Sequence, residues 1–359
     1  MLLRATLTLA LTVALPLLGL ALAGLPLEPY LRIPPEGQPR EYPGFSWAAF
    51  VGIWLLFALL LGLWIGGARP ASTPPPAPAA RARFPAWGWV GLALCLGAWA
   101  AAWLPGTFEP LRRYSFPPLW LGFILVVNAL IQRREGGCPL TREPGFFLLL
   151  FPASAAFWWL FEYLNRFVDN WVYHHAGPVG EAEYLIHASL CFSTVLPAVY
   201  SVRHWLGGRP RLSRRLAQGP RLRLPRPRLF GGGLLLLFAL AMLSIGLAPE
   251  WLFPFLWIGP LGLWAGLELL ARRRHPWPEL ADGDWRDFGG WALAALACGF
   301  FWEMWNLYAL PKWTYQIPWF ERFYLFEMPL SGYLGYLPFG LECALAVLVL
   351  RRLIDGRSR

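Results

Sequence analysis

The feature that most limits the fold of this chain is a series of long apolar stretches. A helix needs about 20 apolar residues to cross the hydrocarbon core of a bilayer, which is about 30 Å thick. Ten stretches of the sequence reach or approach that length. We therefore predict an all-α, polytopic membrane helix bundle with about ten transmembrane helices. The predicted spans are Leu3–Leu25, Trp47–Gly66, Trp87–Leu104, Pro117–Ile131, Phe146–Asn165, Tyr184–Leu206, Phe230–Leu247, Leu252–Leu270, Phe288–Leu307 and Phe326–Leu350.

The composition excludes the main alternatives to a membrane protein. Of the 359 residues, 57% are apolar and only 14% are charged, whereas an ordinary soluble domain has about 25% charged residues. So few charges cannot cover a soluble fold this apolar, and a disordered chain would be poor in apolar residues. The five cysteines show no Cys-x-x-Cys spacing, so we expect no disulfides, no thiolate-bound metal and no other cofactor.

The basic residues indicate the orientation in the membrane. The net charge is +10, and all but one of the 31 basic residues are Arg. If the N-terminus is cytoplasmic and the spans alternate, 24 of these residues fall on the cytoplasmic side and 7 on the other. Because Arg and Lys accumulate in cytoplasmic loops, we predict a bacterial inner membrane protein with both termini in the cytoplasm. The charge then reflects topology, and we expect membrane lipids, not nucleic acid, as partners; the oligomeric state stays open.

The first span has a second interpretation. Arg4, the apolar run that follows it and the Ala-Leu-Ala segment at 21–23 also match a cleaved signal peptide. The apolar run continues to Leu25, and a retained helix gives an even number of spans. We favour the retained helix, with cleavage as the alternative.

Two motifs occur twice in the same order. The segment FPPLWLG at 116–122 recurs as FPFLWIG at 253–259, with five of seven positions identical. The pattern aromatic, any, aromatic, Glu, any, any, Asn occurs at 159–165 and at 300–306, and each copy is followed by a Trp-x-Tyr segment. We predict two tandem four-helix repeats with the same membrane orientation, related by a pseudo-twofold axis along the membrane normal.

The repeats and the linkers divide the chain into six segments. They are two N-terminal transmembrane helices at 1–68, a Pro-rich cytoplasmic linker at 69–83, the first four-helix repeat at 84–206, an Arg-rich cytoplasmic linker at 207–229, the second four-helix repeat at 230–352 and a cytoplasmic tail at 353–359.

The repeated motif places an acid near the end of a membrane helix in each unit. Glu162 and Asn165 are three residues apart and share a helix face, as do Glu303 and Asn306. An acidic residue at the centre of a membrane helix costs about 2.5–3.5 kcal/mol, so its repetition favours a functional site. A low dielectric also favours the neutral carboxyl, which can donate a proton. The alternative is structural, with each Glu hydrogen-bonded between helices.

The candidate site residues follow from this motif. The predicted catalytic acids are Glu162 and Glu303, with Glu183 and Glu327, each of which we expect to open the next span. We expect the asparagines to orient the acids and the aromatic residues to line an apolar pocket that can stabilise a carbocation. The predicted substrate-binding residues are Asn165, Asn306, Trp159, Trp171, Tyr173, Trp302, Trp313 and Tyr315.

A metal site is a weaker hypothesis. His174, His175 and His187 fall on the same side of the membrane as Glu162. They lack the spacing of helical metal ligands, and the second unit has no His in its equivalent loop. We therefore predict no metal.

The second unit resembles a known family in part. Glu-Met-Trp-Asn at 303–306, Trp-Thr-Tyr at 313–315 and Glu-Met-Pro at 327–329 resemble the small membrane-embedded lycopene cyclase domains and, more loosely, the membrane carotenoid hydratases. The resemblance covers about 40 residues per unit and implies acid catalysis on a long polyene, with a membrane carboxylic acid protonating a double bond. The cyclases carry Pro-x-Glu-Glu where this chain has a single acid, Glu327. The chain also resembles uncharacterised bacterial membrane proteins.

Three functions remain in competition. The first is a membrane enzyme that acts on an isoprenoid or other lipid through carboxylic-acid chemistry. The second is a proton-coupled transporter, because parallel repeats with paired acids suit transport. The third is a non-catalytic assembly subunit. Acids that converge on a groove open to lipid favour the enzyme, a polar path to both faces favours the transporter, and acids satisfied within their own unit favour assembly.

Overall fold

The chain folds as an all-α bundle, as predicted. The computed structural model describes residues 2–33, 40–69, 82–104, 106–174, 180–272 and 276–357, so most of the predicted Pro-rich linker lies outside the described residues. The α-helices are α1 (Leu2–Leu22), α2 (Glu28–Leu31), α3 (Trp47–Gly67), α4 (Ala86–Trp103), α5 (Glu109–Arg113), α6 (Phe116–Glu135), α7 (Pro139–Arg142), α8 (Pro144–Asn165), α9 (Glu181–Phe192), α10 (Val195–Gly207), α11 (Pro210–Leu216), α12 (Pro227–Ser244), α13 (Pro249–Leu252), α14 (Pro254–Arg272), α15 (Arg286–Asn306) and α16 (Tyr336–Arg357).

Among the described residues, nine helical segments are long and apolar enough to cross a membrane. They establish a multi-pass membrane protein. They are Leu2–Leu22, Trp47–Gly67, Ala86–Trp103, Phe116–Glu135, Pro144–Asn165, Glu181–Gly207, Pro227–Ser244, Pro254–Ala271 and Leu330–Gly356. The predicted ninth span forms α15, which is 21 residues long but less apolar, because it includes polar residues such as Asp287, Glu303 and Asn306. It packs between α10 and α16.

Two helical spans differ from the prediction: one is interrupted near its middle and one begins later. The sixth consists of α9 and α10, with a break at Ser193 and Thr194, whose hydroxyls donate to the carbonyls of Leu190 and Cys191 at 2.7 and 2.8 Å. Such side-chain bonds to the backbone interrupt a helix. The last span begins with a 3₁₀ helix at Leu330–Gly335, not at Phe326. A second 3₁₀ helix lies at Pro278–Asp282.

The first two helices of each predicted unit pack together in the same way. In the α4–α6 pair, a Cβ at Gly122 would lie 2.7 Å from the carbonyl oxygen of Gly91. In the α12–α14 pair, a Cβ at Gly231 would lie 3.0 Å from the carbonyl oxygen of Gly266. Facing glycines let two membrane helices approach at backbone distance. The duplication itself stays a prediction that this likeness supports.

The first helix is an integral part of the bundle. It packs against α12, α14 and α16, and Leu20 is fully buried. Near its start, Arg4 forms an ion pair with Glu268 of α14 at 2.7 Å.

The closest contact of α1 gives a stability prediction. A Cβ at Gly19 would lie 1.6 Å from the backbone oxygen of Leu243, so Gly19→Ala must push α1 away from α12. Overpacking of this kind costs about 1–3 kcal/mol, and we expect a lower melting temperature in detergent. The control is Gly62→Ala on α3, where a Cβ meets no atom of the described residues within 4 Å. Equal melting temperatures for the two variants would contradict this packing.

Two short strands join the ends of α8 and α15. Strand β1 (Trp171–His174) pairs antiparallel with β2 (Lys312–Tyr315), so that Trp171 faces Tyr315 and Tyr173 faces Trp313. The two Trp-x-Tyr segments therefore pair with each other. We call the side of the bundle that carries these strands the strand side. The other two strands are β3 (Tyr324–Leu325) and β4 (Met328–Pro329).

The core lies between the two predicted units and is rich in aromatic rings. Trp120 of α6 contacts Trp302 of α15, with ring centroids 4.9 Å apart. Phe161 of α8 contacts Phe339 of α16 edge to face at 5.4 Å. Both contacts lie near the strand-side ends of these helices, and the candidate acids lie beside them.

Candidate functional site

The two repeated asparagines fix the strands. Asn165 accepts a hydrogen bond from the backbone N–H of Asn170 at 2.7 Å and donates to the carbonyl of Trp171 at 2.8 Å. Asn306 accepts from the backbone N–H of Trp313 at 2.9 Å and donates to its carbonyl at 2.7 Å. Their bonds therefore run to the Trp-x-Tyr segments and not to the carboxyls. They position the aromatic residues, which in turn donate hydrogen bonds to the acids.

Glu162 is buried beneath three donors from its own unit. Its side chain is 2% exposed, and its Oε1 accepts hydrogen bonds from Trp158 Nε1 at 2.9 Å, Trp171 Nε1 at 3.2 Å and Tyr173 OH at 2.7 Å. Trp158 was missed at the sequence level. Its spacing of four residues from Glu162 places both on one helix face and was the available signal.

Glu303 has fewer partners and is fully buried. Its Oε1 accepts hydrogen bonds from the hydroxyls of Tyr315 and Tyr336, both at 2.6 Å, and Trp313 Nε1 donates to the Tyr315 hydroxyl at 2.9 Å. Its Oε2 is buried and has no hydrogen-bond partner among the described residues. Tyr336 was not predicted, because it lies 33 residues downstream and only the tertiary fold brings it here.

These donors line one cavity between the two units, which we call the aromatic chamber. Its volume is about 100 Å³. The Phe, Trp and Tyr rings that line it are Phe116, Trp158, Trp171, Tyr173, Phe192, Trp257, Trp302, Trp313, Tyr315 and Tyr336, and the lining also includes His187, Cys191, Val195 and Pro311. Every tyrosine that donates to Glu162 or Glu303 is among them. Each carboxyl therefore lies behind the chamber wall, one tyrosine hydroxyl away from the cavity.

The chamber tyrosines on the strands stay protonated. Burial raises the pKa of Tyr173 well above its usual value, and the nearby Glu162 raises it further. Burial likewise raises the pKa of Tyr315, with Glu303 adding to the effect. Both hydroxyls are therefore available as hydrogen-bond donors over the physiological pH range.

The other two predicted acids lie outside the chamber lining. Glu183 is in the first turn of α9, where it pairs with Arg113 at 3.1 Å. Glu327 does not open a helix as expected. It lies in the turn between β3 and β4 and pairs with Lys312 at 2.5 Å. Each is therefore held in an ion pair with a basic side chain, and neither lines the aromatic chamber.

The two predicted helix tryptophans also separate. Trp302 lines the aromatic chamber. Trp159 does not, and its Nε1 donates to Ser189 Oγ at 3.0 Å. Successive helix residues point about 100° apart at 3.6 residues per turn, so Trp158 faces the chamber and its neighbour cannot. Trp171, Tyr173, Trp313 and Tyr315 all line it.

The histidines do not form a cluster in the part of the chain that the structure describes. His174 bonds to Thr314 Oγ1 at 2.7 Å, while His187 lies on α9 and His175 falls outside the described residues. No group of three or more His, Cys, Asp or Glu side chains within the described ranges could bind a metal ion.

A buried ion pair next to the strands gives a pH prediction. Asp169 pairs with Arg40 at 3.0 Å, and burial raises its pKa to about 6, although Arg40 acts in the opposite direction. The folded protein therefore binds a proton that the unfolded chain releases near pH 4, so stability should fall as pH rises from about 4 to about 6. We expect Asp169→Asn to flatten this dependence in melting curves in detergent. An unchanged slope would contradict it.

Comparison with known proteins gives no functional assignment, so the assignment depends on the geometry of the site. No protein-family model, curated protein or solved structure matches the chain. The resemblance to lycopene cyclase domains therefore rests on the motif residues alone, of which Glu303, Trp313 and Tyr315 lie at the aromatic chamber and Glu327 does not.

Proposed function

We propose that this protein is a membrane enzyme that binds an isoprenoid or other lipid in the aromatic chamber and acts on it by acid–base chemistry. One observation carries the proposal: two buried carboxyls from different predicted units each reach the same cavity through a tyrosine hydroxyl, Glu162 through Tyr173 and Glu303 through Tyr315 and Tyr336. We also propose that the strand side faces away from the cytoplasm of a bacterial inner membrane, in line with the Arg distribution.

The lining of the chamber suits a reaction that develops positive charge. The faces of Trp and Tyr rings attract cations, by about 2 kcal/mol or more when the site is desolvated. Five tryptophans line this cavity: Trp158, Trp171, Trp257, Trp302 and Trp313. A carbocation formed by protonation of a double bond would be surrounded by such rings and shielded from water.

The two carboxyls differ in a way that assigns them different roles. Three donors stabilise negative charge on Oε1 of Glu162, whereas Glu303 has two donors and an Oε2 without a protein partner in the described chain. Paired acids in unlike environments commonly divide into a proton donor and an ionised partner. We assign Glu303 as the proton donor, acting through the hydroxyl of Tyr315 or Tyr336. That hydroxyl passes its own proton to the substrate and takes the Glu303 proton in its place. We assign Glu162 as the group that accepts a proton or stabilises positive charge.

One feature of the site favours a competing function, that of a non-catalytic assembly subunit. The hydrogen bonds of each carboxyl stay within its own predicted unit, as a purely structural role requires. The aromatic chamber between the units argues against that role, because a core packed only for stability leaves few voids larger than a water molecule.

The proposal is tested by lipid profiling of bacterial cells. Cells that express the wild-type protein are compared with cells that express the double variant Glu162→Gln, Glu303→Gln and with cells that carry an empty vector. We expect a lipid product, with loss of its precursor, only in the wild-type culture. The side-chain volume is conserved, so protein levels in the membrane should match.

A second buried acid serves as the matched control. Glu342 of α16 is 2% exposed, accepts from the backbone N–H of Leu261 at 2.6 Å and lies outside the chamber lining. Glu342→Gln should therefore keep the product. Identical lipid profiles for wild type, double variant and empty vector, at normal protein levels, would rule out the enzyme.

A further inference from the structure

A second cavity opens on the other side of the aromatic chamber wall, and we call it the outer chamber. Its volume is about 300 Å³. Ile53 of α3 forms one side of it, and Phe253, Ile258 and Met328 of the bundle are on the other. Its lining is almost wholly apolar, so a water molecule there finds few hydrogen-bond partners. A hydrocarbon group is the ligand that suits such a cavity.

The two chambers share part of their lining. Trp257, Tyr315 and Tyr336 border both. Two of these residues are the tyrosines that donate to Glu303. A chain in the outer chamber would therefore end at the hydroxyls through which Glu303 reaches the aromatic chamber.

The outer chamber is separated from the bilayer by α3, whose middle makes few contacts with the bundle. None of the residues of α3, all of them described, is buried. Beside the chamber it is attached by the bond from Trp54 Nε1 to Ser331 Oγ at 3.2 Å. At its ends it has ring contacts, from Phe50 to Phe323 and from Trp64 to Trp285. The residues that flank α3 are fixed as well, because the backbone N–H of Ser46 donates to the Trp319 carbonyl and that of Arg69 to the Gln218 carbonyl. A lipid therefore has only to part the middle of α3 from the bundle, with both ends in place.

We propose that the outer chamber binds the hydrocarbon chain of a linear lipid, which enters from the bilayer beneath α3 and places its reactive end in the aromatic chamber. The proposed reaction requires a ligand there, so this inference rests in part on the proposed function. A compact ligand fills one chamber, whereas a linear chain spans both. The site thus selects substrates by length, with the chain and the reacting group in separate compartments.

Photolabelling tests the site directly. Purified protein in nanodiscs is irradiated with geranylgeraniol that carries a diazirine, and the labelled peptides are identified by mass spectrometry. We expect labelling of segments 253–258 and 328–338, which border the outer chamber. Excess unlabelled geranylgeraniol should abolish it, because binding in a cavity is saturable, whereas labelling of surfaces that face the bilayer is not.

Two α3 variants separate the chamber from the membrane surface. Ile53→Trp fills the outer chamber and should remove the saturable labelling. Leu55→Trp is the control, since Leu55 lies on the opposite face of α3 and is 65% exposed. Ile53→Phe, a smaller change, gives a partial loss and guards against misfolding of the first variant, and melting curves report the fold of all three.

The outcomes distinguish this inference from the proposed reaction. If labelling is not reduced by competitor or is equal in Ile53→Trp and Leu55→Trp, the outer chamber is not a binding site, whatever the lipid profile shows. If labelling is saturable and sensitive to Ile53→Trp while the cells show no lipid product, the outer chamber is a binding site and the proposed reaction is wrong. Glu303→Gln should keep the labelling in either case.

Discussion

Glu303→Gln is expected to reduce lipid conversion by about 10²–10⁴-fold, the usual contribution of a positioned general acid. Glutamine has nearly the same shape and keeps an oxygen that accepts the bonds from Tyr315 and Tyr336, so the chamber wall should stay in place. What it lacks is an ionisable proton. The measurement is the rate of product formation from extracted host lipid by purified protein in nanodiscs.

The tyrosines separate a chemical role of Glu303 from a structural one. Tyr336→Phe and Tyr315→Phe each remove one hydroxyl between Glu303 and the chamber. We expect each to slow conversion, and the pair together to approach the loss seen in Glu303→Gln. If Glu303→Gln retains full activity with an unchanged melting temperature, the assignment of the proton donor is wrong, and the equivalent variant Glu162→Gln becomes the test of the remaining carboxyl.

Asn306→Leu is expected to give the largest loss of stability among these variants. Asn306 is fully buried and makes hydrogen bonds with both the N–H and the carbonyl of Trp313. Leucine leaves two partly buried backbone groups without these partners, and each orphaned group costs about 1–3 kcal/mol. A total of about 2–6 kcal/mol is expected from the same range, measured as the free energy of unfolding in detergent.

The conservative change provides the control for this second prediction. Asn306→Asp keeps an acceptor for the Trp313 N–H and loses the donor to its carbonyl, so it should cost less than leucine. Asn165→Leu in the other unit should behave like Asn306→Leu, because it removes the matching bond to Trp171. If Asn306→Leu lowers the free energy of unfolding by less than Asn306→Asp does, the asparagine does not fix β2.

The course of the helices could be predicted because it depends on local properties. Apolar runs of sufficient length dictate helix in a bilayer, and nine of the ten predicted spans qualify among the described residues. The exception, α15, contains polar residues that contact the core and the strands. Its burial against neighbouring helices, and not its hydropathy, decides its place. The break at Ser193 depends on side-chain bonds that a hydropathy pattern does not register.

The candidate site could be predicted only in part. The repeated Glu and the Trp-x-Tyr residues, with Trp302, were found because the same sequence motif occurs twice in the chain. Trp159, Glu183 and Glu327 were placed with them but lie elsewhere. These three residues were assigned to the site only because they lie close to the motif in the sequence. Side-chain direction on a helix and the ion pairs with Arg113 and Lys312 determine where they point.

The sequence by itself determined that this is a helical membrane protein with two acids repeated near equivalent helix ends. Those are consequences of apolar length and of internal likeness, both of which can be read along the chain. Only the tertiary structure decided that β1 pairs with β2, that Tyr336 joins Glu303, and that both acids meet one aromatic chamber. These contacts join residues far apart in sequence, because they form only when α8, α15 and α16 pack side by side.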